Sequence, residues 1–577
     1  MSDTAGWLQS GGFLLVVTLL VPPAGAYMSR VFNGGRTWLD PVCAPVERLF
    51  YRVCGIDGER SMSWAEYARA FVYLGLGGTL AVYTVLRLQQ FLPWYDARHL
   101  TTPMTPDLAA NTAVSFNTTT TWQAYGGETT MSYVSQLLGL ASGSFLAGAA
   151  GLAVGIAFIR GLANSSDGRI GNFWVDVVRA MLWVLLPLSL IGGAALVWQG
   201  VPMTFAPYAQ AHTLEGAAQT IARGPVAALE FIKNLGTNGG GFFNVNGAHP
   251  FANPTPLANI IGLLAIAVLP AALTYTFGKM TGRRRDGWVL YGAMAVLFIA
   301  AVAANTLAES AGVPAVSRAL GGGTQGMMEG KEVRFGIPAS ALAAVVTSNG
   351  ATGSYIAMHD SFTPLGGLVP LTNMLLGEIV FGGLGTGLVG MILVALLALF
   401  ITGLMIGRTP AYLGKTLGPA ETRLIVLYMI FAPLAVLVPT AVAVVTPAGL
   451  AGLTTNTGPH GFTEILYAFA STFATNGQNF AGLSANTPFY NVATVVAMML
   501  GRFALGVTAL ALAGQFAARK SRVGAEAGSV QTGSALFGMV MIATAVIVVA
   551  LTFAPALALG PGVEHLLARG VTTSAPR

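Results

Sequence analysis

The sequence predicts an all-α polytopic membrane protein of ten transmembrane helices, built as four pseudo-repeated membrane-pore-membrane units with one extra helix at each end. Three observations lead there. Of 577 residues, 54% are hydrophobic and only 9% are charged, with a mean hydropathy of +0.66, whereas soluble domains carry about 25% charged residues. Apolar runs of about 18 residues or more, each long enough to cross a bilayer, recur from end to end. Finally, the polar, glycine-dense stretch Thr237-Asn238-Gly239-Gly240-Gly241-Phe242-Phe243 has three relatives: Thr118-Thr119-Thr120-Thr121, Thr347-Ser348-Asn349-Gly350 and Ala474-Thr475-Asn476-Gly477. Placing Thr121, Gly240, Gly350 and Gly477 at the same fourth position gives spacings of 119, 110 and 127 residues. Self-similarity of this kind marks one structural unit used repeatedly.

The spans fall at 7–29, 65–91, 129–160, 173–201, 253–281, 287–308, 370–406, 420–447, 488–519 and 531–557. The first has Asp3 and no basic residue ahead of it, so it lacks the positive flank of a cleavable signal and is expected to be retained. Grouped by motif, the chain divides into an N-terminal helix (1–29), pore units at 65–160, 173–281, 287–406 and 420–519, and a C-terminal helix (531–557).

Basic residues orient the bundle. With the amino terminus outside, 18 of the 29 Lys and Arg residues fall in inside loops, among them Arg30, Arg36, Lys279, Arg408, Lys415 and Arg522. Nine fall outside, among them Lys233, Arg318, Lys331 and Arg577, leaving Arg69 at a span end and Arg502 within a span. The inside loops are the shorter ones, where the positive-inside rule weighs most. All four motifs are then expected on the extracytoplasmic side. The same scatter argues against a nucleic-acid partner. Cys43 and Cys54 share a polar inside loop, where no disulfide is expected.

Each motif follows a segment too short to cross a membrane, at 106–117, 224–236, 337–346 and 462–473. Three are followed by Thr-Pro starts for the next helix, Thr255-Pro256-Leu257, Thr363-Pro364-Leu365 and Thr487-Pro488-Phe489, since threonine caps and proline fits the first turn. The first copy has Gly126-Gly127-Glu128-Thr129 instead. The unit is thus span, half-helix, kink, return, span. Irregular backbone at membrane depth requires a protein-walled or watery cavity.

Four half-helices aiming their C-terminal ends at one axis focus partial negative charge where a cation sheds water. Glycine after them admits a left-handed backbone and brings no Cβ into a narrow axis. No Asp or Glu lies in the four motifs, so selection falls to backbone carbonyls, which suits a large monovalent ion such as K+. Thr118, Thr119, Thr120, Thr121, Thr237, Asn238, Gly239, Gly240, Thr347, Ser348, Asn349, Gly350, Ala474, Thr475, Asn476 and Gly477 are the expected filter residues. Glu128, His249, His359 and Asp360 lie near the kinks, either shaping an outer vestibule or serving as loop hydrogen-bonding groups.

The stretches Gly236-Thr237-Asn238-Gly239-Gly240-Gly241-Phe242-Phe243-Asn244 with Ala248-His249-Pro250-Phe251, Ala357-Met358-His359-Asp360-Ser361-Phe362-Thr363-Pro364-Leu365-Gly366-Gly367, and Asn479-Phe480-Ala481-Gly482-Leu483-Ser484-Ala485-Asn486-Thr487-Pro488-Phe489 resemble the potassium-binding A subunit of the bacterial Kdp potassium-transporting ATPase, over essentially the whole chain. The resemblance implies a potassium-channel-like fold related to the Trk, Ktr and HKT transporters, in the bacterial inner membrane. It also implies K+ as bound substrate, high-affinity uptake, and no covalent cofactor. Its implied partners are a catalytic P-type ATPase B subunit that uses ATP, a small single-span C subunit and a further small membrane peptide, all within lipid. Two departures stand out: the first motif is all threonine, and Ala474 replaces a threonine in the fourth.

Arg502 lies 14 residues after Pro488 and 17 before Arg519, roughly 20 Å from either end at about 1.5 Å per residue, too deep to snorkel. Intramembrane charges usually face an ion path, so Arg502 is expected below the filter, with Glu378 as partner. The span at 370–406 is long and carries Gly382, Gly383 and Gly385 near its middle, which predicts a broken helix. By the resemblance this break is a gate-like loop.

No energy-coupling site is found. The chain lacks Asp-Lys-Thr-Gly, and Gly414-Lys415-Thr416 has six residues between it and the upstream Gly407, where a phosphate loop needs about four. The chain is therefore read as a non-hydrolytic subunit, and the competing class is a Trk-like channel or carrier working without ATP.

Overall fold

The computed structural model describes residues 3–164, 167–313, 326–407, 410–521 and 531–569. Arg318, Arg408, Arg522 and Arg577, used above for orientation, lie outside the described residues.

Ten helices among the described residues are long and apolar enough to cross a membrane. In chain order with the shorter helices between them, the elements are α1 (Asp3–Phe32), α2 (Asp40–Cys54), α3 (Trp64–Phe91), α4 (Pro106–Asn117), α5 (Ser135–Ala163), α6 (Phe173–Trp198), α7 (Val226–Leu235) and α8 (Pro256–Met280). There follow α9 (Arg284–Ala311), α10 (Gly336–Asn349), α11 (Pro364–Leu375), α12 (Thr386–Met405), α13 (Pro419–Val445), α14 (Gly458–Ala474), α15 (Pro488–Ala518) and α16 (Ala535–Ala568). Four half-helices, α4, α7, α10 and α14, are present; α4 and α7 end before their motifs, whereas α10 runs through Asn349 and α14 through Ala474.

Helix starts follow side-chain chemistry. Thr255 Oγ1 accepts from the Ala258 N–H at 3.0 Å, Thr363 Oγ1 from Gly366 at 3.0 Å and Thr487 Oγ1 from Tyr490 at 3.4 Å, each filling an orphan donor of the first turn. At α3, Ser63 and Glu66 form a reciprocal capping box.

Two elements depart from the sequence reading. The polar segment carrying the cysteines, expected as a loop, is the amphipathic helix α2, with Cys43 buried, Cys54 exposed and both thiols free. Val42, Leu49, Phe50 and Val53 are exposed along it, a face suited to the membrane interface. The span at 370–406 is broken, but the break runs from Leu376 to Gly385, so α11 starts six residues earlier and ends before Glu378.

Small residues set the packing, as membrane bundles require. A Cβ on Gly25 of α1 would stand 2.6 Å from the Ala272 carbonyl of α8, and Thr276 Oγ1 donates to Gly25 O at 3.2 Å. The central α5 is buried along most of its length, whereas Leu15, Leu19, Leu80, Leu190, Ile191, Leu404 and Leu551 are exposed on peripheral helices, where lipid replaces water. Among the described residues, four π-helical turns interrupt the spans, at Ser135–Ala141, Ala180–Leu185, Leu500–Ala504 and Ala558–Gly562. Such turns re-aim side chains, often at functional sites, and the third carries Arg502.

Candidate ion-binding site

The four half-helices end in the same way. Thr119, Thr237, Ala351 and Thr475 are left-handed, with φ of 63°, 51°, 49° and 58°. The next residue in each copy sends its N–H back five residues: Thr120 to Ser115 O (3.0 Å), Asn238 to Lys233 O (2.8 Å), Thr352 to Thr347 O (3.0 Å) and Asn476 to Ser471 O (2.9 Å). This is the six-to-one bond of a Schellman cap, and it fixes the structural register of the repeat. Two residues after the first left-handed residue comes a second in three copies, Thr121 (48°), Gly239 (86°) and Gly477 (88°).

The register corrects two expectations. The equivalent tetrads are Thr118–Thr121, Gly236–Gly239, Gly350–Gly353 and Ala474–Gly477. Gly240 therefore falls one position beyond the second tetrad. Thr347, Ser348 and Asn349 belong to the last helical turn of α10, with Ser348 Oγ bonded to Val345 O at 3.3 Å, and Gly350 opens the third tetrad rather than closing it. Counting glycines misplaced the helix end, because the polar run is buried inside the helix.

The tetrads close into a ring. Thr121 Oγ1 donates to Asn238 O, and Gly239 pairs through its backbone with Gly353. A Cβ on Gly353 would stand 2.8 Å from Asn476 O, and one on Gly477 would stand 2.0 Å from Thr120 O. Each strand thus touches the next and the fourth touches the first, with glycine where backbone meets backbone. The asparagine side chains turn behind their strands. Asn476 Nδ2 donates to Thr347 O and Ser348 O at 3.2 Å each, and Asn238, with its amide oriented to satisfy its neighbours, donates to Gly236 O and Ser144 O at 3.2 Å.

A buried cation braces the second strand and was not foreseen. Lys233, counted above with the outside loops, lies within α7 and is fully buried; its Nζ stands 2.9 Å from Glu230 Oε1 and donates to Gly240 O at 2.7 Å. Lys331 is likewise buried, 2.5 Å from Glu309 Oε2. The sequence signal was available for Glu230 and Lys233, three residues apart on an apolar half-helix.

Beneath the ring, Arg502 donates from Nη1 to Thr119 Oγ1 at 3.1 Å and from Nη2 to Ala147 O at 2.6 Å. The expected Arg502–Glu378 pair is not formed: among the described residues no carboxylate is bridged to Arg502, and Glu378 Oε1 accepts instead from Asn476 Nδ2 at 2.6 Å. The π turn aims Arg502 at the first strand, while the break aims Glu378 at the fourth. Both line one cavity of about 130 Å³ that also reaches Thr475, Tyr428 and Phe553.

The loop 376–385 is wedged against the ring. Leu384 N–H donates to Thr237 Oγ1 at 2.8 Å. A Cβ on Gly382 would meet Asn349 O at 2.8 Å, one on Gly383 would meet the Ala351 Cβ at 3.0 Å, and one on Gly385 (φ 95°) would meet Gly151 O at 2.2 Å.

On the opposite side, a vestibule is lined by Gln123, Tyr125, Asn244, Lys331, Tyr355 and His359. Glu128 Oε2 accepts from Asn244 N–H at 2.8 Å. His249 stacks on Phe243 at 3.6 Å and accepts from Phe251 N–H at 3.1 Å; burial and the nearby Arg334 hold it down to about 4. His359 Nδ1 meets Tyr467 Oη at 3.0 Å. At the other end, Gly414-Lys415-Thr416 forms a small hairpin with Ala411–Tyr412, and Lys415 Nζ donates to the carbonyls of Leu162 and Phe516 at 2.9 Å, capping two helix ends rather than holding phosphate.

Comparison with known proteins places this architecture. The "potassium-transporting ATPase potassium-binding subunit" of Methylobacterium radiotolerans is 52% identical over 561 residues, covering 97% of each chain. That of Bradyrhizobium diazoefficiens is 51% identical, covering 97% of this chain and 98% of the other. The crystal structure of the potassium transporter TrkH from Vibrio parahaemolyticus superposes with a TM-score of 0.50 at 13% identity, covering 85% of this chain and 96% of that one, a likeness of fold. The family profile described as "Potassium-transporting ATPase A subunit" matches residues 12–566, and the chain belongs to that family.

Proposed function

We propose that the chain is the potassium-binding and translocating subunit of an ATP-driven uptake system in the bacterial inner membrane. The observation that carries this reading is the closed ring of four Schellman-capped strands without an acidic side chain in any tetrad, in a member of this family. The four copies, read as units 65–160, 173–281, 287–406 and 420–519 between terminal helices 1–29 and 531–557, each supply one strand. On this reading the ring faces the extracytoplasmic side. K+ exchanges its water for backbone carbonyls, favoured by the negative ends of α4, α7, α10 and α14.

The groups beneath the ring then control departure. Arg502 sets a positive charge below the first strand, raising the energy of an ion that leaves along that line. The loop 376–385, held by Thr237 and by Gly151 of α5, closes the direct way down and serves as the gate. Free energy comes from outside the chain: the partners are a catalytic P-type ATPase subunit that uses ATP and a small single-span subunit.

Potassium-stimulated ATP hydrolysis tests this, in membranes carrying the chain alone or with its partner subunits, for wild type and Gly239→Asp. Hydrolysis that requires the partners and needs at least tenfold more K+ in the variant supports the proposal. ATP-independent K+ flux through the chain alone favours a Trk-like channel.

A further inference from the structure

Away from the ring, three ionisable side chains converge where the third and fourth units meet the last helix. His460, in the first turn of α14, places Nε2 3.0 Å from Asp360 Oδ1 and 3.9 Å from Glu464 Oε1. The three ligand atoms lie within 4.8 Å of one another. His460 Nδ1 is held from behind by Glu564 Oε1 of α16 at 2.8 Å, and the imidazole stacks on Phe480 with centroids 5.8 Å apart. Glu464 is fully buried; Oε1 accepts from Asn456 Nδ2 at 2.8 Å, while Oε2 has no hydrogen-bond partner. A buried carboxylate oxygen without a donor is costly, and this carboxylate stands beside a second carboxylate and an imidazole.

We propose that Asp360, His460 and Glu464 form a divalent metal site, with Zn2+ the ion it fits. Zn2+ takes imidazole nitrogen and carboxylate oxygen at about 2.0–2.2 Å, which puts tetrahedral ligand atoms roughly 3.3 Å apart, and three protein ligands leave a fourth position for water. The separations around His460 bracket that edge. Ca2+ takes six or more oxygens, which this set does not supply, and imidazole suits Zn2+ better than it suits Mg2+, which prefers oxygen ligands. Glu564 provides the outer carboxylate that orients a metal-bound histidine. Zn2+ takes the place of the Nε2 proton, which leaves to water, and no redox change is involved. The ligands come from the loop after the third strand and from α14, and Glu564 comes from α16, so the bound ion staples the last helix to the mouth of the ring.

The test is Zn2+ binding to the purified complex, with Co2+ as a spectroscopic probe, comparing wild type with His460→Gln and Glu564→Gln. The expected result is one more tightly bound Zn2+ per wild-type complex than per His460→Gln complex. Glu564→Gln weakens that ion about 10–100-fold, and Co2+ gives the wild type an intense tetrahedral d–d band that His460→Gln lacks. Equal Zn2+ number and affinity in wild type and His460→Gln overturn the proposal. If His460→Gln does not assemble, the other two readouts decide: a tetrahedral band diminished in Glu564→Gln supports the site, and only a weak octahedral band in wild type overturns it.

Discussion

Asn476 Nδ2 stands 2.6 Å from Glu378 Oε1, so the fourth strand of the ring is tied directly to the loop that breaks the helix under the third. The same amide holds Thr347 O and Ser348 O. One side chain therefore couples the fourth strand, the end of α10 and the loop 376–385. Asn476→Ala leaves three buried acceptors without this donor, each costing about 1–3 kcal/mol if unreplaced. The expected result is a loss of at least tenfold in K+ affinity, read from K+-dependent ATP hydrolysis. Glu378→Gln keeps an acceptor oxygen and should stay within a few-fold of wild type.

Arg502 bridges Thr119 Oγ1 and Ala147 O through two nitrogens of one plane. Lysine is a single point donor and reproduces only one of these contacts. Arg502→Lys should retain assembly but alter the K+ dependence of turnover, and Arg502→Ala should change it further. Wild-type transport and K+ affinity in Arg502→Ala would remove Arg502 from the ion path.

Gly385 and Gly407 are both left-handed, at 95° and 67°, but they differ in surroundings. A Cβ on Gly385 would stand 2.2 Å from Gly151 O, whereas one on Gly407 meets nothing within 4 Å. Gly407→Ala should cost only the backbone strain, about 1–2 kcal/mol, and leave transport intact. Gly385→Ala must also displace the loop from α5, and should abolish transport and lower the thermal midpoint of the complex. Crosslinking the loop to α5 should stop transport while sparing ion binding.

His249 is held down to about 4 against an ordinary 6.5 by burial and Arg334, with Glu332 acting in the opposite sense. Between those values the unfolded chain binds the proton that the folded imidazole refuses, so stability falls as pH drops from 6.5 to 4. His249→Asn should flatten that part of a thermal-midpoint-versus-pH profile. An unchanged slope would assign the acid sensitivity elsewhere.

Much of the fold was legible because lipid imposes simple rules. Ten apolar stretches gave the spans, and Thr-Pro pairs at 255, 363 and 487 marked helix starts that the caps bear out. The register of the ring was not legible from glycine counts. In α10 the run Thr347-Ser348-Asn349 is polar, yet its hydroxyls bond carbonyls of the preceding turn and stay helical. The better signal was the tetrad itself, Gly236-Thr237-Asn238-Gly239 against Gly350-Ala351-Thr352-Gly353 and Ala474-Thr475-Asn476-Gly477, which keeps a closing glycine where the next strand approaches. Arg502 and Glu378 were expected to pair; they line one cavity but bond elsewhere, because their partners depend on a π turn and on a break whose start no residue type announces.

The measurement that tests the central claim most directly is anomalous diffraction from the purified complex grown with Rb+ or Tl+ in place of K+. The account predicts anomalous density on the axis bounded by Thr118–Thr121, Gly236–Gly239, Gly350–Gly353 and Ala474–Gly477, lost on adding excess K+. Density confined to sites outside that ring, with the axis bare at saturating Rb+ or Tl+, would contradict it.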